Sequence, residues 1–404
     1  MRGPKIAIAH SYSLNVGDMA VLSTTVGILT GIAPDSQITA LVSHPDFTSK
    51  KLPRLNARLE RWPWPVDHEA GKGPLRFFGY AAVYLSHIVS VLAYRIAGTR
   101  VFLFNKKYSA PLNAIFDCDI LLSPGGDFIN PRYGFITTLS EFIMAKALGK
   151  KLVICAQTIG PFEGLLNGRA SAFVLNMADL ILIREQKTAK LLADAGVKGV
   201  EVTGDIVFAF PKALEEGKKR PGKAVICVED LHPPALKERY AKKMKELSRR
   251  VNREFGYRIV YMPANCADAA FHADLAQGIE DAEVIHEVHA PEKIADILSD
   301  AEFLISSRMH PIVLGALSCT PFFAIGESFK FEAVLGPICE GCCMKGYELE
   351  TDEGVERIMD AIRRREALRR KIFGTLPGAK ERAKRNAVLL CKKLEEWGYP
   401  VMPA

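Results

Sequence analysis

The residues best placed to do chemistry are in the run Ser306-Ser307-Arg308-Met309-His310-Pro311, directly after the apolar stretch Phe303-Leu304-Ile305. An apolar run ending in Ser-Ser and followed by proline reads as a buried strand turning into a helix, with Pro311 in the first helical turn. Arg308 and His310 then lie at a helix N-terminus, where unpaired backbone amides and the helix dipole already favour an anion. Histidine exchanges a proton near neutral pH, so His310 suits general acid/base work beside an arginine-bound phosphate or carboxylate. A purely structural histidine at a helix start is the alternative reading.

Other loops after strand-like runs carry further candidates. Ser11 to Asp18 offers Asn15 and Asp18 as helix caps or ligand contacts and Gly17 for a tight approach. The loop is neither a GxGxxG dinucleotide turn nor a phosphate-binding P-loop, so it supports no dinucleotide or ATP site. Pro124-Gly125-Gly126-Asp127 and Gln157-Thr158-Ile159-Gly160-Pro161 close two more strands with glycines that permit unusual backbone or close contact. Arg184, at the end of Leu180-Ile181-Leu182-Ile183, is positioned either to grip a carboxylate or phosphate or to form a local salt bridge. Asp205 supplies a carboxylate after the next strand, as a cap or a catalyst. Lys330, beyond Pro321 to Gly326, reads equally as a third cation or an exposed lysine.

Positioning these loops requires an alternation of strands and helices, and the sequence has it. Apolar runs near 5–10, 38–42, 119–123, 152–156, 180–184 and 200–203 alternate with helical patterns, as do runs near 223–229, 257–262, 283–288, 302–306 and 322–326. The expected fold is α/β: two Rossmann-like domains facing a cleft, similar to the B-type glycosyltransferases, with C-terminal helices. The Gly-, Pro- and charge-rich stretch 211–223 is the linker candidate, giving domains at 1–213 and 222–352 and packing helices at 353–404. In such sheets ligands bind outside the strand C-termini, which is where these loops lie.

Composition sets limits on function. The chain has 404 residues, 49% hydrophobic and 25% charged, with a formal charge of +7. That excess suits small anionic substrates and does not call for nucleic acid, since the basic stretches 236–253 and 362–385 read as solvated helix faces without aromatic recognition residues. Nine cysteines, mostly inside apolar runs, indicate reduced thiols, and Cys339, Cys342 and Cys343 lack a second pair at zinc-site spacing, so no metal is expected. The start lacks a signal-peptide core, pointing to a cytoplasmic protein. Residues 79–98 are apolar but interrupted by tyrosines and serines. They are too polar for a membrane span and read as a buried or surface-docked helix, with reversible membrane contact as the other option.

The ordered set Asn-x-Gly-Asp (Asn15 to Asp18), Gly125-Gly126, Gln-x-Ile-Gly-Pro (Gln157 to Pro161), Ala-Asp-x-Ile-x-x-Arg (Ala178 to Arg184), Gly204-Asp205 and Ser-Arg-x-His (Ser307 to His310) resembles the polysaccharide pyruvyl transferase family over roughly residues 5–335. The resemblance implies transfer of pyruvate from phosphoenolpyruvate to sugar hydroxyls, building a ketal on a cell-envelope polysaccharide or its precursor, with no cofactor beyond the donor substrate. It implies Arg308 and His310 in phosphoenolpyruvate binding or catalysis and Arg184 as a second arginine for that anion. His310 is the candidate acid, and Asp18, Asp127 or Asp205 the base. Asn15, Gly17, Gly125, Gly126, Asp127, Gln157, Asp205, Ser307 and Lys330 are the remaining expected substrate contacts. The glycine run is shorter than usual in the family, and the 57–118 region, with Trp62-Pro63-Trp64-Pro65, has no family counterpart. A lipid-linked saccharide acceptor would account for its apolar helix. Competing readings are a nucleotide-sugar glycosyltransferase, a sugar epimerase of the same shape, and a non-catalytic saccharide-binding assembly factor. The acceptor sugar and the oligomeric state are not encoded in any motif.

Overall fold

The computed structural model describes residues 2–61, 74–101, 106–130, 135–162, 165–211, 222–230, 234–326 and 328–404. The Trp62 to Pro65 run and residues 212–221 of the expected linker lie outside these. Contacts divide the chain into two compact units: unit 1 comprises Met1–Ser13, Val21–Ile206 and Lys384–Ala404, and unit 2 comprises Leu14–Ala20 and Val207–Ala383.

In chain order the first sheet uses β1 (Lys5–Ser11), β2 (Gln37–Val42), β3 (Arg58–Arg61), β4 (Ile120–Ser123), β5 (Gly126–Ile129), β6 (Lys151–Ile159), β7 (Leu180–Ile183) and β8 (Val200–Val202). Its helices are α1 (Val16–Ile32), α2 (Pro45–Lys51), α3 (Pro74–Ala97), α4 (Lys106–Asp117), α5 (Phe135–Ala147), α6 (Leu165–Leu175) and α7 (Gln186–Asp194). All pairings are parallel, in the order β3-β2-β1-β4-β6-β7-β8, with β5 hydrogen-bonded to β6. Strands covered on both faces must be apolar throughout, which is why Leu152-Val153-Ile154-Cys155 and Ile6-Ala7-Ile8-Ala9 are buried without alternation. The edge strand β3 is Arg-Leu-Glu-Arg, a charged edge that blunts further pairing and carries no apolar run to announce it.

The second sheet contains β9 (Lys223–Cys227), β10 (Arg258–Tyr261), β11 (Glu283–Val284), β12 (Phe303–Ser306), β13 (Phe322–Ile325) and β14 (Cys343–Met344). They are parallel, in the order β11-β10-β9-β12-β13-β14. Its helices are α8 (Pro234–Phe255), α9 (Ala269–Ala276), α10 (Pro291–Ser299), α11 (Met309–Leu317), α12 (Ser328–Leu335), α13 (Asp352–Arg363) and α14 (Arg365–Glu396). Both sheets thus run outward from their first strand in two directions, and the reversal of strand order, between β1 and β4 and between β9 and β12, opens a crevice at the strand C-termini.

The division falls at other residues than the sequence led us to expect. Leu14–Ala20 joins unit 2 because its backbone bonds there: Val16 N–H donates to Ala264 O at 2.8 Å and Cys266 N–H to Leu14 O at 3.1 Å. The expected C-terminal tail is likewise split. α13 packs on α8, whereas the last turns of α14 belong to unit 1, where Asn386 accepts from the Thr203 hydroxyl at 2.8 Å and donates to Gly204 O at 3.0 Å. Burial pushes the thiols of Cys155, Cys227 and Cys342 up to about 12, so they behave as small apolar side chains. Among the described residues no group of three His, Cys, Asp or Glu side chains is arranged to hold a metal.

Two substitutions test this packing. Asn386→Ala leaves the buried Gly204 carbonyl without its donor and should lower stability by about 1–3 kcal/mol, read as a fall in melting temperature; an unchanged melting temperature contradicts the assignment. His272 on α9 is fully buried, donates from Nε2 to Val228 O at 2.8 Å and leaves Nδ1 without a partner, the signature of a neutral ring. Burial lowers its pKa from 6.5, with the Val228 bond and the Asp268 charge opposing. The unfolded chain therefore binds the proton more readily, so the stabilisation is complete above 6.5 and shrinks as pH falls toward the lowered folded value. Between about pH 7.5 and 5.5 the melting temperature of the wild type should fall more steeply than that of His272→Gln; parallel pH profiles contradict it.

Candidate functional site

The richest cluster sits at the strand-order reversal of the second sheet. β12 ends in Ser306, whose hydroxyl donates to Cys227 O and accepts from Arg308 N–H, both at 3.0 Å, fixing the turn into α11. Ser307 Oγ accepts from Glu229 N–H at 2.7 Å, tying the ends of β9 and β12 together. Arg308 is the N-cap residue of α11 in an extended conformation, and no side chain caps the helix start.

The Arg308 guanidinium is held on three sides. Nε and Nη2 donate to the two oxygens of Asp268 at 3.1 and 2.6 Å, and Nη1 lies 3.0 Å from Glu229 Oε2. Burial alone would disfavour its charge, but Asp268 and then Glu229 outweigh that and raise its pKa further. Asp268 is itself fixed: its Oδ2 accepts from Asn265 N–H at 3.2 Å in a capping box at the start of the Cys266–Asp268 turn. The fork of Arg308 is thus aimed by the loop after β10.

That loop also receives the chain's first helix. Asn15 and Asn265 form an isolated antiparallel bridge, flanked by the Val16–Ala264 and Cys266–Leu14 bonds already described. Asn15 Oδ1 accepts from Gly17 N–H at 2.7 Å, so Asn15 acts as the cap of α1. A Cβ on Gly17 would fall 2.2 Å from His310 Nδ1 and 2.8 Å from its Cγ. Only glycine permits this approach of backbone to imidazole. Asn15, Gly17, Asp18, Ser307, Arg308 and His310 therefore belong to one unit, with the half-buried His310 ring seated against the first turn of α1.

A second cluster lies at the reversal of the first sheet. His10, fully buried with φ 58°, has Nδ1 at 3.1 Å from Ser123 Oγ and Nε2 at 2.8 Å from Glu141 Oε2. Gln157 Nε2 donates to Ser123 Oγ at 2.6 Å and to Pro124 O at 2.7 Å. Gly125 is packed so that a Cβ would meet Ala156 O at 3.3 Å, and Gly126 has φ 129°, a value only glycine adopts readily. Nearby, Arg184 donates from Nη1 to Asp205 Oδ2 and from Nε to Thr158 Oγ1, both at 2.8 Å, with Glu185 Oε2 3.6 Å from Nε. Burial opposes the Arg184 charge, but Asp205, Glu185 and Asp127 outweigh it and raise the pKa.

Several expectations change at this point. Arg184 was read as gripping an anion or forming a local salt bridge, and Asp205 as a cap or a catalyst; they form an ion pair with side chains only 9% and 2% exposed, because both follow adjacent strands β7 and β8. Gln157 was expected as a substrate contact, but its side chain is wholly buried as a strut under the Pro124-Gly125 turn, because the irregular β6–β7 register places it inward. Lys330 lies on α12, and its side chain is outside the described residues. Asp268, Glu229, His10, Ser123, Glu141 and Thr158 were not picked out from the sequence. His10 carried one usable signal, a titratable residue ending the apolar run of β1; Asp268 stands 40 residues from Arg308 with no motif to link them.

A cleft of about 1340 Å³ opens elsewhere on unit 1, at the N-terminal ends of β1 and β2, lined by Lys5, Gln37, Thr39, Arg58 and Asn113 among others. Parallel α/β sheets bind ligands at the opposite, C-terminal ends, so the two clusters above, each within its own unit, and not this cleft are the candidate sites.

The fold resembles those of several sugar-nucleotide enzymes. S. aureus MnaA, solved with UDP, shares 12% identity and a TM-score of 0.60 over 98% of this chain and 97% of that one. UDP-GlcNAc 2-epimerase from Neisseria meningitidis, solved with UDP-GlcNAc, gives 10% and 0.57 over 98% and 100%. The Methanocaldococcus jannaschii enzyme, solved with UDP-GlcNAc and UDP, gives 10% and 0.54 over 89% and 92%. At such identities the likeness speaks for the fold alone. No curated protein sequence matches the chain. The sequence profile of one family, described as polysaccharide pyruvyl transferase, matches residues 15–328, a span running from the Asn15 cap to the start of α12 and enclosing Arg184, Arg308 and His310. The chain belongs to the polysaccharide pyruvyl transferase family.

Proposed function

We propose that the chain transfers pyruvate from phosphoenolpyruvate to hydroxyls of a saccharide, a cell-envelope polysaccharide or its precursor, forming a pyruvate ketal in the cytoplasm. The observation that carries the proposal is the seating of His310 against Gly17 at an uncapped helix start, next to an arginine whose orientation two carboxylates fix. Phosphoenolpyruvate bears a phosphate and a carboxylate, and the first-turn amides of α11 beside the Arg308 charge suit such an anion.

His310 is the proposed acid. It delivers a proton to C3 of the enol, leaving C2 electrophilic; a saccharide hydroxyl adds to C2 and gives up its proton. Phosphate departs, a second hydroxyl adds, and the ketal closes with inorganic phosphate as the other product. Asp18, one residue after Gly17, is the proposed base for the first hydroxyl. Ser307, on the same unit, is the further proposed substrate contact. Arg184 and Asp205 act through each other in this reading, as a neutralised pair that shapes the loops following β7 and β8. No cofactor takes part.

The reaction is tested by incubating the protein with phosphoenolpyruvate and candidate saccharides, and separately with UDP-sugars. Phosphate release without UDP release is expected; UDP release without phosphate release overturns the proposal. His310→Ala should lower the phosphate-release rate about 10²–10⁴-fold, and undiminished turnover removes His310 from the mechanism.

Gly17→Ala should lower the rate about a hundredfold, because displacing a catalytic group by an ångström is that damaging. Its melting temperature should fall too, and His310→Ala added on top should restore the melting temperature but not the activity. A double variant as unstable as Gly17→Ala shows that the crowding does not involve the imidazole.

A further inference from the structure

Helix α3 is amphipathic the wrong way round for a helix that covers a soluble core. Its inward face carries Ser86, His87 and Ser90 beside Val91, all buried, with Ser90 Oγ donating to Ser86 O at 2.8 Å. Its outward face carries Leu85, Ile88, Val89, Leu92 and Ile96, at i, i+3, i+4, i+7 and i+11, a single apolar stripe. Leu85 is 62% exposed and Ile96 85%. Contiguous apolar surface of this kind on a water-soluble fold marks a docking face.

The charge around the stripe selects what docks. Over the described residues 74–101 the sequence contains no Asp or Glu, while Arg95 and Arg100 flank the stripe's C-terminal end. Arg95 and Arg100 are exposed, Arg100 sharing its charge with Asp117 at 2.7 Å. A second copy of the same face would set like charges against each other. An anionic lipid surface satisfies both features: the stripe enters the headgroup boundary and the basic side chains meet lipid phosphates. No described helix is long and apolar enough to cross a membrane, so the contact is in-plane.

We propose that α3 is an in-plane docking helix for an anionic bilayer surface. The inference stands on the stripe and its charges and is independent of the donor chemistry.

The test uses the full chain and flotation with phosphatidylcholine vesicles that contain about 30% phosphatidylglycerol or none, at low and high salt. The wild type should float with the anionic vesicles at low salt, and L85E/L92E/I96E should reduce the partition about tenfold or more with an unchanged melting temperature. As a second reading, Leu92→Trp should show a blue shift in emission on adding anionic vesicles. Absence of flotation, equal flotation of the triple variant, or no emission shift overturns the proposal. So does a wild-type dimer that the triple variant converts to monomer, since the stripe would then be covered by a second copy. Because activity on a water-soluble saccharide is a separate readout, failure here leaves the pyruvyl reading untouched, and loss of that activity leaves this one untouched.

Discussion

The second unit is organised around a point where a backbone has no room for a side chain. Gly17 meets His310 so closely that a single methyl group would lie 2.2 Å from the imidazole nitrogen. The approach exists because residues 14–16 are stitched antiparallel to residues 264–266, an arrangement that carries the start of α1 into the unit built on the second sheet. The same loop supplies Asp268, which holds the guanidinium of Arg308 by two bonds. One short stretch of pairing thus sets the position of His310, Arg308 and the helix start between them. A shift of one residue there would move all three.

Electrostatics follow from burial. Arg308 and Arg184 are each largely withdrawn from water, and each has acquired carboxylates that more than offset the desolvation of its charge. Such pairs add little net stability over apolar packing, but removing one partner leaves an uncompensated buried charge, so their geometry is held firmly. The Arg308 guanidinium is therefore held in one orientation beside the start of α11. Arg184 is held in the same manner, with Nη1 on Asp205 and Nε on Thr158 beside Glu185.

Most of the architecture was legible in the sequence because buried parallel strands have to be continuous apolar runs. Eleven runs read that way correspond to strands in the structure. The strands that escaped had no such run: β3 is charged, β5 begins at a glycine turn, and β14 has two residues. The site was legible where chemistry and punctuation coincide, as in Ser-Ser-Arg-Met-His-Pro. It was not legible where a partner comes from a distant loop. Nothing local marks Asp268 as the ligand of Arg308, nor shows that Gly17 belongs with His310 and not with the sheet that precedes it. Gln157 illustrates the opposite failure, a residue whose motif pointed to ligand contact while an irregular register turned its side chain inward.

In the proposed function the Arg308–His310 helix start recognises phosphoenolpyruvate. Ligand-induced stabilisation measures this without needing to know the acceptor, since a molecule that binds only the folded chain raises its melting temperature. Phosphoenolpyruvate should raise the melting temperature of the wild type and fail to raise that of Arg308→Ala, while UDP-GlcNAc leaves both unchanged. Stabilisation by UDP-GlcNAc and none by phosphoenolpyruvate would contradict it.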